Sequence, residues 1–266
     1  MKVLIIGYGN MGKTYANSFI SSRFIKPEDI FVLVRNDHHA ISDNGIPKSN
    51  FSAKAGNEIS DFDIVILAVK PQDFNILAHA VKSFLTNTQI IFSVMAGITL
   101  ATIEKQLSCS KIVRSMPNIP TQIGMGMTVF TASSNVDRKE LFIIQNLINT
   151  TGKSVYVENE KLIDAATAIS GSGPAYVFYF MQSMIQAAVD LGFNESEAEL
   201  LVNQTFMGSV AIQNSYSLSN QEWIAKVASK GGTTESALRV FEKEALEKTI
   251  VDAVKAANDR ALELGT

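Results

Sequence analysis

The chain has 266 residues, 46% of them hydrophobic and 18% charged, which provides for a sizeable core in one large or two small domains and excludes global disorder. Its formal net charge of −3 argues against a nucleic-acid partner, which needs a basic face. No stretch approaches ~18 uninterrupted apolar residues, so no membrane span is expected.

The first apolar run, Val3–Ile6, is shorter than the core of a secretory signal and leads straight into a glycine-rich turn. It reads as a strand, and residues 12–22 as the helix after it. Further strands are expected at 30–34, 63–69, 89–94 and 111–115, with 127–131 and 154–157 extending the sheet. The segment DIVILAV at 63–69 is apolar throughout, as in a parallel strand covered on both faces. Strands alternating with helices imply an α/β fold, an N-terminal Rossmann-type doubly wound parallel sheet. The single cysteine, Cys109, cannot form an internal disulfide and fits a reducing, cytoplasmic compartment; in the polar stretch LSCSK it reads as incidental rather than reactive.

After residue 158 the pattern becomes helical. The expected division is a dinucleotide-binding domain over 1–158 and an all-α domain over 159–266. Pro174 suits the first turn of a helix running to Leu191, with Ser172 or Gly173 near its cap and Gly192 as its stop. Asn194 with Glu197, and Ser219 with Glu222, have the spacing of capping boxes. The helix over 175–191 is apolar nearly all round, from Tyr176 and Val177 to Ala188 and Val189. Such a helix needs cover on every side. A helix shared with a second copy of the chain is preferred to a single buried core helix, which makes a homo-oligomer the expected state.

Gly7, Tyr8, Gly9, Asn10, Met11 and Gly12 form G-x-G-x-x-G directly after the first strand. The first glycine permits the tight turn, the second lets a pyrophosphate approach the backbone, and the third packs helix against strand. Free N–H groups at the helix start favour phosphate. At the end of the second strand Arg35 and Asn36 suit a ribose 2′-phosphate, so NADPH is favoured over NADH. Asp37 keeps the alternative open. His38 and His39 face either this phosphate or solvent. Neither they nor His79 show metal-ligand spacing, and no metal is expected. Three pieces at strand ends, Ala68, Val69, Lys70 and Pro71, then Ala96 and Gly97, then Met116, Pro117 and Asn118, point to a nicotinamide pocket.

Near the end stands Ser229, Lys230, Gly231, Gly232, Thr233 and Thr234, just before a helical pattern. Taken alone, this reads as a glycine turn with a threonine cap. Together with the glycine turn at 7–12, Val69-Lys70-Pro71, Arg114-Ser115-Met116-Pro117-Asn118 and Ser170-Gly171-Ser172-Gly173-Pro174-Ala175-Tyr176, in that order, the chain resembles the pyrroline-5-carboxylate reductase family. The resemblance covers essentially the whole chain, and SGSGPAY and GGTT are its specific parts.

The resemblance implies a Rossmann domain and a helical domain that binds substrate and dimerises, often within a larger ring. It implies reduction of a cyclic imine carboxylate, 1-pyrroline-5-carboxylate, to L-proline by NAD(P)H. Gly7 to Met11 would hold the pyrophosphate, the three strand-end pieces the nicotinamide side, and Asn57 the adenosine. Ser229 to Thr233 would form a carboxylate-binding turn, with the N–H groups of Lys230 to Thr233 as donors, and Thr234 would hydrogen-bond the ring nitrogen as the catalytic residue. A protonated imine is already electrophilic, so positioning is the main demand. The family often has proline where Lys230 stands, and Gly-x-Arg where this chain reads Glu244-Ala245-Leu246-Glu247. The Lys230 ammonium would add attraction for the substrate carboxylate. Two rivals are weighed. A β-hydroxyacid dehydrogenase would need a general base, often a lysine, and no lysine or histidine stands between Lys161 and Lys226. A drifted, regulatory nucleotide-binding paralogue would not need Thr234 and the nicotinamide-side pieces, all of which are present.

Overall fold

Strand β1, Val3–Ile6, is buried at every position because both faces of the sheet are covered. Val3 and Ile5 join a cluster with Tyr15, Phe19, Ile144 and Leu147, while Leu4 and Ile6 join one with Phe74, Val81, Ile103 and Leu107. The alternation of side chains along a strand sends each set to its own layer of helices. Each such buried aliphatic side chain contributes about 1.5–3 kcal/mol. The computed structural model describes residues 1–35 and 45–264.

The strands are β1, β2 (Ile30–Leu33), β3 (Phe51–Ser52), β4 (Ile64–Leu67), β5 (Ile90–Ser93), β6 (Ile112–Met116), β7 (Gly126–Ala132) and β8 (Gly152–Tyr156), in the spatial order β3-β2-β1-β4-β5-β6-β7-β8. The helices of this part are α1 (Asn10–Ser21), α2 (Phe74–Val81), α3 (Leu100–Leu107), α4 (Arg138–Asn149) and α5 (Lys161–Ala166). All ladders are parallel except β6 with β7. The sheet is therefore doubly wound, with a reversal near one edge. Residues 117–125 are too few for the crossover of a dozen or more residues that a parallel partner needs. Gly124, at φ 74°, helps the chain turn back.

The chain divides into two compact units, Met1–Ser172 with Ala257–Thr266, and Gly173–Ala256. The second is helical, with α6 (Gly173–Asp190), α7 (Glu195–Ser215), α8 (Asn220–Val227), α9 (Thr233–Lys243) and the start of α10 (Leu246–Leu264). Pro174 lies in the first turn of α6, and Gly192 follows it at φ 105°. Both capping boxes form: Asn194 and Glu197 exchange bonds at the start of α7, Ser219 and Glu222 at the start of α8. Bonds from Ser219 hold the Glu222 carboxyl below its usual range.

No residue of α6 is buried in the single chain. Phe178 is 60% and Tyr179 74% exposed, and on α7 Leu200 is 69% and Met207 65% exposed. Leaving so much aromatic and aliphatic surface in water is the mark of a face made to be covered. Among the described residues no helix is long and apolar enough to cross a membrane.

Between α9 and α10, Ala245 has φ 50°, in the left-handed region, at a position where the related family pattern carries Gly-x-Arg. A side chain there costs about 1–2 kcal/mol, of which glycine would return 0.5–1 as lost backbone freedom. Ala245→Gly is accordingly expected to stabilise the protein by about 0.5–1 kcal/mol, read as a higher urea midpoint at fixed protein concentration.

Candidate functional site

The carboxyl ends of β1, β2, β4, β5 and β6 share one edge of the sheet because these strands run parallel. From β1 the chain first builds toward β3, then returns to β4 on the other side, so the winding reverses between β1 and β4. Ligands of such sheets bind at that point.

The glycine turn sits there. Gly7 has φ 95°, donates its N–H to Leu33 O at 2.9 Å, and packs so closely on β4 that a Cβ would lie 2.7 Å from Ala68 O. A Cβ on Gly12 would lie 2.0 Å from Gly7 O, so the first turn of α1 rests on the strand end. Gly9 differs: a Cβ there would meet nothing within 4 Å. It stands at the N-cap of α1 and offers no side-chain cap, so backbone N–H groups and the positive end of the helix face open space. Two closed glycines around one open glycine suit a pyrophosphate laid against the backbone. Of the neighbours, Tyr8 packs edge-on against Phe51 with Lys13 Nζ 5.7 Å from its ring, and Asn10 O accepts from Thr14 Oγ1 at 2.8 Å.

The other strand-end pieces lie along the same edge. Ala68 N–H donates to Ile6 O at 2.8 Å, and Lys70 and Pro71 open a short 3-10 turn, Pro71–Asp73, before α2. Ala96 and Gly97 turn the chain from β5 toward α3, with Gly97 at φ 74°. Asn118, just beyond β6, accepts from Met127 N–H at 2.9 Å and donates to Ser170 O at 3.0 Å. Ser170 belongs to a π-helical turn, Thr167–Gly171, and a Cβ on Gly171 would lie 2.7 Å from Met116 Cε. The serine-glycine piece at 170–171 thus packs directly against Met116 and Asn118. Such turns are frequent at functional sites.

Arg114 does not face a ligand. It is 1% exposed and pairs with Glu160 at 2.9 Å and Asp164 at 2.6 Å. Glu160 also accepts from Leu100 N–H at 2.8 Å, so β6, α5 and the start of α3 are tied at one guanidinium. Arg35 is exposed and pairs with Asp73 at 2.7 Å. Asn57 is exposed and opens a 3-10 turn, Asn57–Asp61, that buries Ile59. Asn36, Asp37, His38 and His39 lie outside the described residues. Cys109 is buried, and burial pushes its thiol above the usual range, as suits an inert sulfur. Among the described residues no cluster of His, Cys, Asp or Glu could hold a metal ion.

In the helical unit, Gly232 is the N-cap of α9 without a side-chain cap, and Thr233 and Thr234 fill its first turn. Gly231, at φ 75°, donates its N–H to Glu235 Oε2 at 2.6 Å, and Gly232 donates to Ser229 O at 3.0 Å. Two of the four N–H groups expected for a carboxylate are thus engaged, one by the loop and one by the first turn of α9. The other Glu235 oxygen pairs with Arg239 at 3.2 Å. Neither Glu235 nor Asp73 was singled out by sequence. Glu235 could have been, since it follows the N-cap glycine at capping-box spacing.

A glycine turn at the switch point of a doubly wound sheet, in a chain that also carries a separate helical unit, defines the class as a Rossmann-type dinucleotide-dependent oxidoreductase. Residues 160–264 match the family described as pyrroline-5-carboxylate reductase dimerisation, and residues 2–97 that described as NADP oxidoreductase, coenzyme F420-dependent. A pyrroline-5-carboxylate reductase of Aquifex aeolicus is 33% identical over 99% of this chain and 97% of its own. The structure of a pyrroline-5-carboxylate reductase from Coxiella burnetii is 31% identical, covers 100% of this chain and 98% of its own, and superposes with a TM-score of 0.90. That of the Plasmodium falciparum pyrroline carboxylate reductase with NADP bound is 29% identical, covers 100% and 98%, and gives 0.87. The chain belongs to the pyrroline-5-carboxylate reductase family.

Proposed function

We propose that the chain reduces 1-pyrroline-5-carboxylate to L-proline with NADPH as preferred donor. The observation that carries this reading is the match to named reductases over 99% of the chain. The residues fit the cofactor: Gly9 leaves the open face and Gly7 and Gly12 the close packing that a pyrophosphate site needs. When bound, the nicotinamide supplies the hydride. Gly7 to Met11 hold the pyrophosphate, Arg35 and Asn36 the ribose end, Asn57 the adenosine, and Ala68 to Pro71, Ala96-Gly97 and Met116 to Asn118 the nicotinamide side.

The chain's remaining task is to orient a small anionic imine. The turn from Ser229 to Thr233 binds the carboxylate, through the N–H groups that its internal bonds leave free. The Thr234 hydroxyl, in the first turn of α9, orients the ring nitrogen. Residues 1–158 carry the cofactor, and residues 159–266 the substrate and the dimer contact. The exposed apolar faces of α6 and α7 are covered by a second copy, giving a homodimer or a larger ring. A cytoplasmic setting belongs to the same reading.

The test is loss of NADPH absorbance with pyrroline-5-carboxylate, run beside NADH, with proline identified as product. Turnover by the wild type and a fall in kcat/KM of about tenfold or more in Thr234→Ala are expected, the scale of ~1.4 kcal/mol for one well-placed hydrogen bond. An unchanged value would remove Thr234 from the reaction. No turnover despite NADPH binding would favour related cyclic imine substrates first and then the regulatory paralogue.

A further inference from the structure

Asp73 ends the 3-10 turn that leads into α2, with helical backbone (φ −90°, ψ −8°), so its carboxylate is not turned back to cap the helix and makes no cap bond. Its carboxylate reaches instead to Arg35 Nη2, 2.7 Å away. The two residues come from opposite sides of the glycine turn. In the sheet, Ile6 of β1 lies between Leu33 of β2 and Leu67 of β4. Arg35 follows β2 and Asp73 follows β4, so the pair spans two strand spacings, about 10 Å, over the carboxyl end of β1. This is the crevice in which a Rossmann sheet receives a dinucleotide, and the end of β2 is where the adenosine ribose is read.

We propose that Asp73 sets the nucleotide preference of this enzyme, its carboxylate competing with the ribose 2′-phosphate of NADPH for the Arg35 guanidinium. The inference rests on the cofactor reading above. A 2′-phosphate brings about two negative charges to a cation that already has a carboxylate partner, so it must displace Asp73 or share Arg35 with it. The exchange is feasible because the Arg35 side chain is 73% exposed, and exposed pairs hold weakly. NADH brings no such charge. Its ribose 2′-hydroxyl can donate a hydrogen bond to the Asp73 carboxylate. The pair therefore narrows the advantage that Arg35 alone would give NADPH.

The experiment compares adenosine 2′,5′-bisphosphate with 5′-AMP by calorimetric titration of the full-length protein, with NADPH and NADH as a second pair. Asp73→Asn is expected to tighten the bisphosphate at least fivefold relative to 5′-AMP and to move the NADPH/NADH affinity ratio the same way. Arg35→Ala is expected to weaken the bisphosphate at least tenfold and to abolish the effect of Asp73→Asn in the double variant. A ratio within twofold of wild type in Asp73→Asn would overturn the inference, and so would an undiminished effect on the Arg35→Ala background. If the wild type turns over the imine and only these ratios fail, the inference falls alone. A wild type that binds nucleotide and reduces no imine sinks the functional reading, while the ratios still decide the role of Asp73. A wild type that binds no nucleotide overturns both.

Discussion

Arg114→Met is expected to destabilise the protein by about 3–5 kcal/mol, a large part of the ~5–15 kcal/mol that folded domains possess. The guanidinium is fully buried, and its charge is balanced by Glu160 at 2.9 Å and Asp164 at 2.6 Å, whose side chains are 30% and 14% exposed. Methionine fills much of the space but leaves two carboxylates close together without their cation. Removing one partner of a buried ionic set costs far more than the whole set contributes. Combining the substitution with Glu160→Gln and Asp164→Asn is therefore expected to restore most of the loss. Urea unfolding followed by circular dichroism measures both. A cost below ~1 kcal/mol for the single variant, the range of exposed pairs, would show that the network stabilises nothing. Because Glu160 also accepts from Leu100 N–H, the single variant should loosen the segment after Gly97, seen as faster amide exchange at the start of α3.

Arg114 also shows where sequence reasoning stops. An arginine beside Ser115, Met116, Pro117 and Asn118 looks the same in the sequence whether it faces an anion or is locked in the core. Its partners lie 46 and 50 residues away, at Glu160 and Asp164, and no local pattern announces them. Local physics was legible elsewhere. The four-residue run Val3–Ile6, the Asn194 and Ser219 caps and the stop at Gly192 each depend on a few neighbours, and each was read from them. The strand Phe51–Ser52 was not, because two residues between Asn50 and Ala53 carry no apolar run and are held by pairing with Val32 and Leu33. The antiparallel turn of β7 was legible in principle from the short connection over 117–125, but strand propensity says nothing about direction. At the substrate loop, GGTT marked the place, while the capture of the Gly231 N–H by Glu235 needed the folded helix to become visible.

Gly12→Ala is expected to weaken NADPH binding a hundredfold or more, ~2.7 kcal/mol, with a loss of stability of about 1–3 kcal/mol. The added methyl would lie 2.0 Å from Gly7 O and 3.3 Å from Ile5 Cγ2. The first is backbone, so no rotamer change relieves it. Gly7 cannot yield easily, since its N–H is bonded to Leu33 O at 2.9 Å and its own Cβ direction is closed by Ala68 O. The turn is held by β2 and β4 together, and the element left to move is α1. Lifting α1 carries away the N–H groups proposed to bind the pyrophosphate. Gly9→Ala separates the two consequences. Its methyl would meet nothing within 4 Å of protein, so the fold should keep its stability within about 0.5 kcal/mol. The same methyl would occupy the open space proposed for the phosphates, so binding should fall as far as in Gly12→Ala. Calorimetric titration with NADPH and urea unfolding of both variants make the comparison. Full NADPH affinity in Gly9→Ala would move the pyrophosphate away from this turn, whereas lost affinity with intact stability places it there.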